Sequence, residues 1–240
     1  MAADETGPAE PGSPIDIVAR YNRRPLALSE RLEAIVRETR AANPSGMAVV
    51  DRFVARLEAA RAGADAPALG EALPPFLLPD HDGALVSLAG LLGNEPLVVV
   101  FHRGHWCPYC RMTIAALAEA QPRLGAARIV AISAEVQRYT RRIRAEALAQ
   151  FRFLSDMDAA YAASIGLAIT IEPALRAVLE QAGKRIPDFQ GGQAWVLPIP
   201  AVFVVDRNGM VRARHVDPDY RRRMEIDDLV AAVAALRRGV

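Results

Sequence analysis

Cysteine is nearly absent from this sequence. The 240 residues contain two cysteines, Cys107 and Cys110, which stand three positions apart. So few cysteines exclude a disulfide-rich scaffold. No second C-x-x-C pair exists, so a metal site would have to recruit His102 or His105, and no metal is predicted. A structural disulfide between the two cysteines would close a very short loop and restrain the unfolded chain little. The pair therefore favours redox chemistry.

Excess charge and long apolar runs are lacking as well. A formal net charge of +1 leaves no basic excess to neutralise phosphates, so no nucleic-acid partner is expected. The run Arg221, Arg222 and Arg223 is interpreted as a solvated helix surface. The longest strongly apolar run, at residues 96–101, is far too short to span a bilayer, so no membrane partner is expected. No glycine-rich phosphate-binding loop follows a strand, and no cofactor is expected.

The first residues, MAADETGPAEPGSP, lack the positive segment and the apolar segment of a secretory signal. Their acidic, proline- and glycine-rich composition predicts a disordered tail over residues 1–14. Without an export signal, we expect a cytoplasmic location. In that reducing compartment a close cysteine pair is more often catalytic or metal-binding than structural.

Two patterns of apolar residues at helical spacing precede any strand signal. Leu28, Leu32 and Ile35 define the first pattern, and Val50 and Leu57 belong to the second. They predict a helical extension over residues 15–68. Such a small helical unit buries little core by itself, so it should pack on the main domain or on a second subunit. A homodimer is therefore one candidate assembly.

The remainder of the chain alternates the signals of buried strands and of helices, which is typical of an α/β fold. An Asn-Gly turn joins the last two strands into a hairpin. Pro122 is expected at the end of the first of these helices or just beyond it. The predicted order is strand, helix, strand, helix, helix, hairpin and helix, at residues 96–102, 107–121, 128–133, 136–149, 159–165, 201–215 and 226–238.

The cysteine pair lies where a buried strand passes into a helix, in VVVFHRGHWCPYCRM. Unpaired N–H groups and the dipole at a helix N-terminus favour an anion, so Cys107 should have a lowered pKa. Pro108 suits the first helical position. Cys110 follows one turn later, close enough to attack a sulfenic acid or mixed disulfide on Cys107. Arg103 either stabilises the thiolate or is a surface arginine paired with an acid.

Pro200 stands directly before the apolar strand in LPIPAVFVVD, where an ordinary central strand would reject proline. Two interpretations stay open. A cis peptide at Ile199–Pro200 could hold the backbone against the dithiol, or the proline merely begins the strand.

The segment F-H-R-G-H-W-C-P-Y-C resembles the active-site segment of the alkyl hydroperoxide reductase/thiol-specific antioxidant family, the peroxiredoxin-like proteins of the thioredoxin-like superfamily. The resemblance runs from about Leu73 to the C-terminus and includes FLLPDHDGALVSLAGLL, FRFLSDMDAAYAASIGL and VFVVDRNGMVRARHV. It implies a thioredoxin-like α/β fold over residues 69–240, with a central mixed sheet flanked by helices. It also implies peroxide reduction through a Cys107–Cys110 disulfide, reset by thioredoxin or a glutathione-type thiol.

Several positions of the site differ from the family pattern. Family members carry Pro-x-x-x-Thr/Ser-x-x-Cys, and in that register Cys110 takes the peroxidatic position while Cys107 replaces the hydroxyl residue. Arg103 replaces the proline and is the candidate substitute cation, and Pro200 takes the place of an active-site arginine. Trp106 and Pro200 are thioredoxin-like elements and candidate substrate-binding residues. Helix-terminus electrostatics favour Cys107 as the attacking thiol, against the register.

Two other functions stay open on the sequence. The chain could be a thioredoxin-like disulfide oxidoreductase that acts on protein thiols. Alternatively, it could be a non-enzymatic redox-sensing module whose disulfide alters how the helical extension docks.

Overall fold

A computed structural model describes residues 14–22 and 24–238 of the chain. The tail predicted to be disordered lies outside these residues, apart from Pro14. The described helices are α1 (Pro14–Tyr21), α2 (Leu28–Ala42), α3 (Pro44–Ala59), α4 (Leu88–Leu91), α5 (Pro108–Leu124), α6 (Gln137–Glu146), α7 (Ala160–Ser164), α8 (Pro173–Gln181), α9 (Ile186–Gln190) and α10 (Ile226–Arg238). The strands are β1 (Leu77–Pro79), β2 (Leu85–Ser87), β3 (Leu97–Phe101), β4 (Arg128–Ser133), β5 (Arg152–Ser155), β6 (Ala168–Thr170), β7 (Val196–Pro198), β8 (Ala201–Val205) and β9 (Val211–Val216).

Five strands form the central sheet, in the order β5-β4-β3-β8-β9. β3 and β5 run parallel to β4, whereas β8 pairs antiparallel with both β3 and β9. Successive residues of a strand point to opposite faces. Val99 and Phe101 of β3 accordingly join one hydrophobic cluster, and Val98 and Val100 join the other. The predicted mixed sheet with flanking helices is confirmed.

The helices α1 to α3 pack directly on the body of the fold. Leu32, Ile35 and Phe53 are buried in the same hydrophobic cluster as Phe101 of the central strand. This continuity brings α2 and α3 close to the end of β3. The division of the chain near residue 69 stays a prediction.

Polar contacts from the C-terminal region also secure the extension. Glu225 accepts hydrogen bonds from the backbone N–H groups of Leu28 and Ser29, at 3.1 and 2.8 Å. A carboxylate there satisfies N–H groups that α2 cannot pair internally and complements the helix dipole. Arg221 contacts Asp51 of α3 at 2.6 Å, which ties the segment before α10 to the same extension.

The interpretation of Arg221, Arg222 and Arg223 as a helix surface was wrong. They lie in the connection before α10, not on a helix. Arg221 is held by Asp219 at 2.7 Å as well as by the α3 carboxylate, and Arg222 remains exposed. A run of arginines in the sequence does not show which of them form ion pairs with distant carboxylates. Here the ion pair of Arg221 with Asp51 helps to hold the segment in its conformation.

Several elements differ from the sequence expectation. β5 was not predicted, because four residues with an exposed arginine at the start are too short for a periodic signal. The two-stranded sheets β1–β2 and β6–β7 and the helices α1, α8 and α9 were also not predicted. Pro122 lies inside α5, two residues before its end, so the helix continues past it. A proline inside a helix removes one hydrogen bond and its ring crowds the carbonyl four residues earlier, and α5 ends within two residues of it.

Within the described ranges, no helix is both long enough and apolar enough to cross a bilayer.

Candidate active site

The two cysteines lie at the carboxyl end of the central strand, on the first turn of α5. Cys107 is the N-cap residue of α5, with Pro108 at the first helical position, and Cys110 follows inside the first turn. Both side chains are free thiols, and they are only 1% and 0% exposed. The predicted strand-to-helix placement of the pair is therefore what the structure has, with the addition that both sulfurs are buried.

Cys107 carries the more acidic thiol of the pair. Burial raises its pKa, but a hydrogen bond from the Cys110 thiol and the positive charges of Arg103 and Arg223 outweigh burial and lower the pKa to about 5. A backbone hydrogen bond at Cys110 acts in the same direction. The thiolate is the nucleophilic form of cysteine, so Cys107 is ionised and reactive at neutral pH.

The pKa of Cys110 is shifted in the opposite direction to that of Cys107. Burial and the adjacent Cys107 thiolate raise the pKa of Cys110 well above its ordinary value. Its sulfur accepts a hydrogen bond from the backbone N–H of Arg103 at 3.3 Å, and the Arg223 guanidinium lies 3.8 Å away. Two thiols that share one negative charge in this way carry it mainly on one sulfur, here that of Cys107, while Cys110 stays protonated.

Arg103 is buried, with 2% of its surface exposed. Its guanidinium lies over the Tyr220 ring at 3.7 Å and near the Trp106 ring at 5.1 Å from the centroid. Its Nε has no hydrogen-bond partner, and its charge interacts most strongly with Cys107. The alternative of a surface arginine paired with an acid is wrong, because the side chain is buried against aromatic rings. A buried cation of this kind stabilises a thiolate as its counter-charge.

A buried hydrogen-bonded pair, His105 and Glu135, supports the loop between β3 and α5. Glu135, fully buried after β4, accepts a hydrogen bond from the His105 backbone N–H at 2.8 Å. A second contact joins the same carboxyl group to the His105 ring Nδ1 at 2.6 Å. Burial raises the pKa of Glu135, and the hydrogen bonds from His105 oppose this. The pair fixes the backbone just ahead of the dithiol.

Gly104 permits the close approach of Glu135, so Gly104→Ala should destabilise the fold. Its φ is +137°, and an added Cβ would lie 2.6 Å from both the Glu135 carboxyl group and Trp106 Nε1. Strain and overpacking together predict a loss of about 2–5 kcal/mol in the free energy of unfolding, measured by urea denaturation. The control is Gly83→Ala, where φ is +89° and no atom lies within 4 Å. Equal losses in both variants would contradict the steric role of Glu135.

A cavity of about 230 Å³ opens onto Cys107 and Arg103. Its walls are mainly apolar and come from four parts of the chain: the dithiol loop, the α2–α3 region, α8 with the segment that follows it, and Tyr220 before α10. The wall residues outside the dithiol loop include Met47, Val50, Leu175 and Leu179. A cavity of this size can hold a small molecule beside Cys107 and Arg103.

Comparison with known proteins identifies the family of the chain. The model of the AhpC/TSA family matches residues 69–214. The chain belongs to this family. Family membership confirms the predicted peroxiredoxin-like class and its thiol-dependent peroxidase activity. Among curated proteins, none matches this AhpC/TSA protein.

Solved structures share the fold of this AhpC/TSA protein. Peroxidoxin BcpB from Mycobacterium tuberculosis is 21% identical, with a TM-score of 0.55 over 71% of this chain and 99% of that chain. A peroxiredoxin-like protein from Aquifex aeolicus is 16% identical, with a TM-score of 0.55 over 70% and 86%. A thiol peroxidase from Chromobacterium violaceum is 18% identical, with a TM-score of 0.52 over 73% and 89%. The predicted thioredoxin-like fold is confirmed.

The structure of this AhpC/TSA protein brings most of the predicted site residues together. Trp106 is buried beside Arg103 and lines the cavity with Cys107. Pro200 is buried at the same end of the sheet, one position beyond the register pair Phe101–Ala201, but it does not line the cavity. The Ile199–Pro200 peptide is trans, so the cis interpretation is wrong and the proline stands at the start of the strand. Its role in substrate binding stays a prediction.

Sequence reasoning missed four residues of the site: Glu135, Lys184, Tyr220 and Arg223. Tyr220 and Arg223 lie more than a hundred positions after the dithiol yet reach Arg103 and Cys110. Gly104 was the one local signal, since a glycine in the tight loop before W-C-P-Y-C indicates a close neighbour. Nothing local identified the neighbour as Glu135.

In the described part of the AhpC/TSA chain, no three or more histidine, cysteine, aspartate or glutamate side chains cluster as metal ligands do.

Proposed function

We propose that this AhpC/TSA protein reduces peroxides through a dithiol–disulfide cycle of Cys107 and Cys110. The Cys107 thiolate attacks the terminal peroxide oxygen, the O–O bond breaks, and Cys107 becomes a sulfenic acid while an alcohol or water leaves. The Cys110 thiol then attacks the oxidised sulfur, water is released, and the disulfide forms. Thioredoxin or a glutathione-type thiol returns both cysteines to the reduced state.

The observation that carries this proposal is that the pKa values of the two thiols are shifted in opposite directions. The pKa of Cys107 falls to about 5, whereas the pKa of Cys110 rises. An attacking thiol must be a thiolate, and a resolving thiol must wait as a protonated neighbour. This assignment makes Cys107 the peroxidatic cysteine, although the family register would assign that role to Cys110.

Arg103 takes the role of the cation that family members supply from another position. Its guanidinium stabilises the Cys107 thiolate and faces the cavity where a peroxide would lie. Negative charge on the leaving oxygen develops in the same place, so a fixed buried cation lowers the barrier for O–O cleavage. Trp106 limits the position of the guanidinium and forms part of the wall.

The burial of both sulfurs favours a small peroxide over a protein disulfide as the oxidising substrate. The cavity admits a molecule of limited size, whereas a protein disulfide would need α2 and α3 to move. Reduction by thioredoxin requires the same access, so we infer that the disulfide form opens at this face. The cytoplasmic location and the homodimer stay predictions. Analytical ultracentrifugation of the reduced and the oxidised protein tests the homodimer.

A peroxidase assay tests the proposed function against its alternatives. The purified chain is mixed with hydrogen peroxide or tert-butyl hydroperoxide, together with thioredoxin and its reductase or with glutathione. Turnover of peroxide supports the proposal. Reduction of insulin disulfides without peroxide turnover would support a protein disulfide oxidoreductase. A redox-dependent change of oligomeric state without either activity would support a sensing module.

The cycle also predicts an intramolecular disulfide on mild oxidation. One equivalent of peroxide should lower the intact mass by about two hydrogens, because the resolving thiol is adjacent to the sulfenic acid. Intact mass spectrometry measures the change, and Cys110→Ser is the control, which should instead gain one oxygen. A stable sulfinic acid on the wild-type chain, or a crosslinked dimer, would contradict the intramolecular cycle.

A further inference from the structure

Lys184 is the only lysine of the chain, beside 28 arginines. It lies between α8 and α9 and lines the cavity that opens onto Cys107 and Arg103. This protein therefore uses arginine for every other basic side chain and has its one lysine at the dithiol. The two residue types differ in a chemically decisive way, since lysine can release its proton near neutral pH when it is desolvated and arginine cannot.

The surroundings of Lys184 make its proton transferable. Burial lowers the pKa of its ammonium group. The positive charges of Arg103 and Arg111 lower it further, and the Cys107 thiolate acts in the opposite direction. In the described part of the chain, no carboxylate is among the groups that shift this pKa. Among the described residues, Lys184 is thus not held in an ion pair by a carboxylate, and it is available as a donor along the cavity.

The first chemical step needs such a donor. When a thiolate attacks a hydroperoxide, the leaving oxygen departs as an alkoxide or hydroxide, which is a strong base and must take up a proton. Arg103 stabilises charge but keeps its protons. Burial raises the pKa of the phenols of Tyr109 and Tyr220, the other acidic groups along this cavity, so they are weak donors. The Cys110 proton leaves later, with the water released during disulfide formation.

We propose that Lys184 is a further catalytic residue, the general acid that protonates the leaving oxygen. The proposal rests on the peroxidase function proposed above. Cys107–S⁻ and ROOH give Cys107–SOH and RO⁻, and Lys184–NH₃⁺ transfers one proton to RO⁻ to form ROH. The sulfur is oxidised by two electrons and the O–O bond is reduced. Lys184–NH₂ then regains its proton from solvent.

The test compares peroxides whose leaving groups differ in basicity. The leaving group of tert-butyl hydroperoxide is an alkoxide, which requires a proton. Peracetic acid releases acetate, whose conjugate acid has a pKa between about 4 and 5, so this leaving group departs without a proton. Single-turnover oxidation of Cys107 is measured with both reagents for the wild type, Lys184→Met and Lys184→Arg.

If Lys184 is the acid, Lys184→Met should slow the reaction with tert-butyl hydroperoxide by about 100-fold or more. Its rate with peracetic acid should stay within about threefold of the wild-type rate, because no proton is needed in that step. Lys184→Arg should lose nearly as much with the alkyl hydroperoxide, since arginine retains the charge but is not an acid at neutral pH.

Three results would overturn the proposal. They are equal losses with both peroxides, no loss with either, and full rescue by Lys184→Arg, which would indicate a role of charge alone. Alkylation of Cys107 by iodoacetamide, which releases iodide and needs no acid, verifies that each variant retains a folded site. A wild-type chain that reduces neither peroxide would overturn the proposed function itself, a result distinct from any effect of the Lys184 variants.

Discussion

Replacement of Cys107 by serine is expected to abolish peroxide reduction, with kcat/KM falling by at least about 1000-fold. A serine hydroxyl is not ionised at neutral pH, whereas the pKa of the Cys107 thiol is lowered to about 5. The measurement is peroxide consumption in the presence of reductant, together with labelling of sulfenic acid by dimedone. Cys107→Ser should show neither turnover nor label.

Cys110→Ser is the matched control, and it separates attack from resolution. A serine at this position keeps a hydroxyl that can donate to the Cys107 thiolate, as the Cys110 thiol does. This variant should therefore form sulfenic acid at close to the wild-type rate and then stop, because no thiol remains to close the disulfide. If Cys107→Ser forms sulfenic acid at the wild-type rate while Cys110→Ser does not, Cys110 is the peroxidatic cysteine and our assignment is wrong.

The second large effect is expected from Arg103→Gln, which removes the buried cation beside the thiolate. The pKa of Cys107 should rise from about 5 toward the ordinary thiol value of about 8.5. In the limit of a full return, the thiolate fraction at pH 6 falls roughly 300-fold, while the more basic thiolate becomes roughly 30-fold more nucleophilic. Alkylation of Cys107 at pH 6 should then slow about tenfold, and above pH 9 the variant should exceed the wild type.

The reversal of the two rates with pH is the signature that distinguishes loss of the cation from loss of the fold. Alkylation by iodoacetamide is followed from pH 4 to 10, and the midpoint of the profile gives the pKa. Arg103→Lys keeps a positive charge and should retain a lowered midpoint. Arg123→Gln, which breaks an exposed ion pair between α5 and Asp227 of α10, should leave the profile unchanged. An unaltered midpoint in Arg103→Gln would show that Arg103 does not stabilise the thiolate.

Much of the site could be predicted because its signals are local. An apolar run followed by W-C-P-Y-C specifies a buried strand, then a helix that begins at a cysteine and continues with proline, and the structure has Cys107 as the N-cap of α5. The hairpin of β8 and β9 follows from its Asn-Gly turn, and α10 follows from its spacing. The short strand β5 lacks such a local pattern and was not predicted.

The amino-acid sequence by itself determined the α/β class, the family and the position of the cysteine pair between a strand and a helix, because each depends on residues adjacent along the chain. Only the tertiary structure decided which charged side chains lie near the sulfurs of the two cysteines. Arg103 is buried against Tyr220, and Arg223 approaches Cys110 from 113 positions away. Lys184 joins the same cavity from another segment. An arginine or lysine carries no local signal of its burial or its partner, since both depend on how distant segments pack around it.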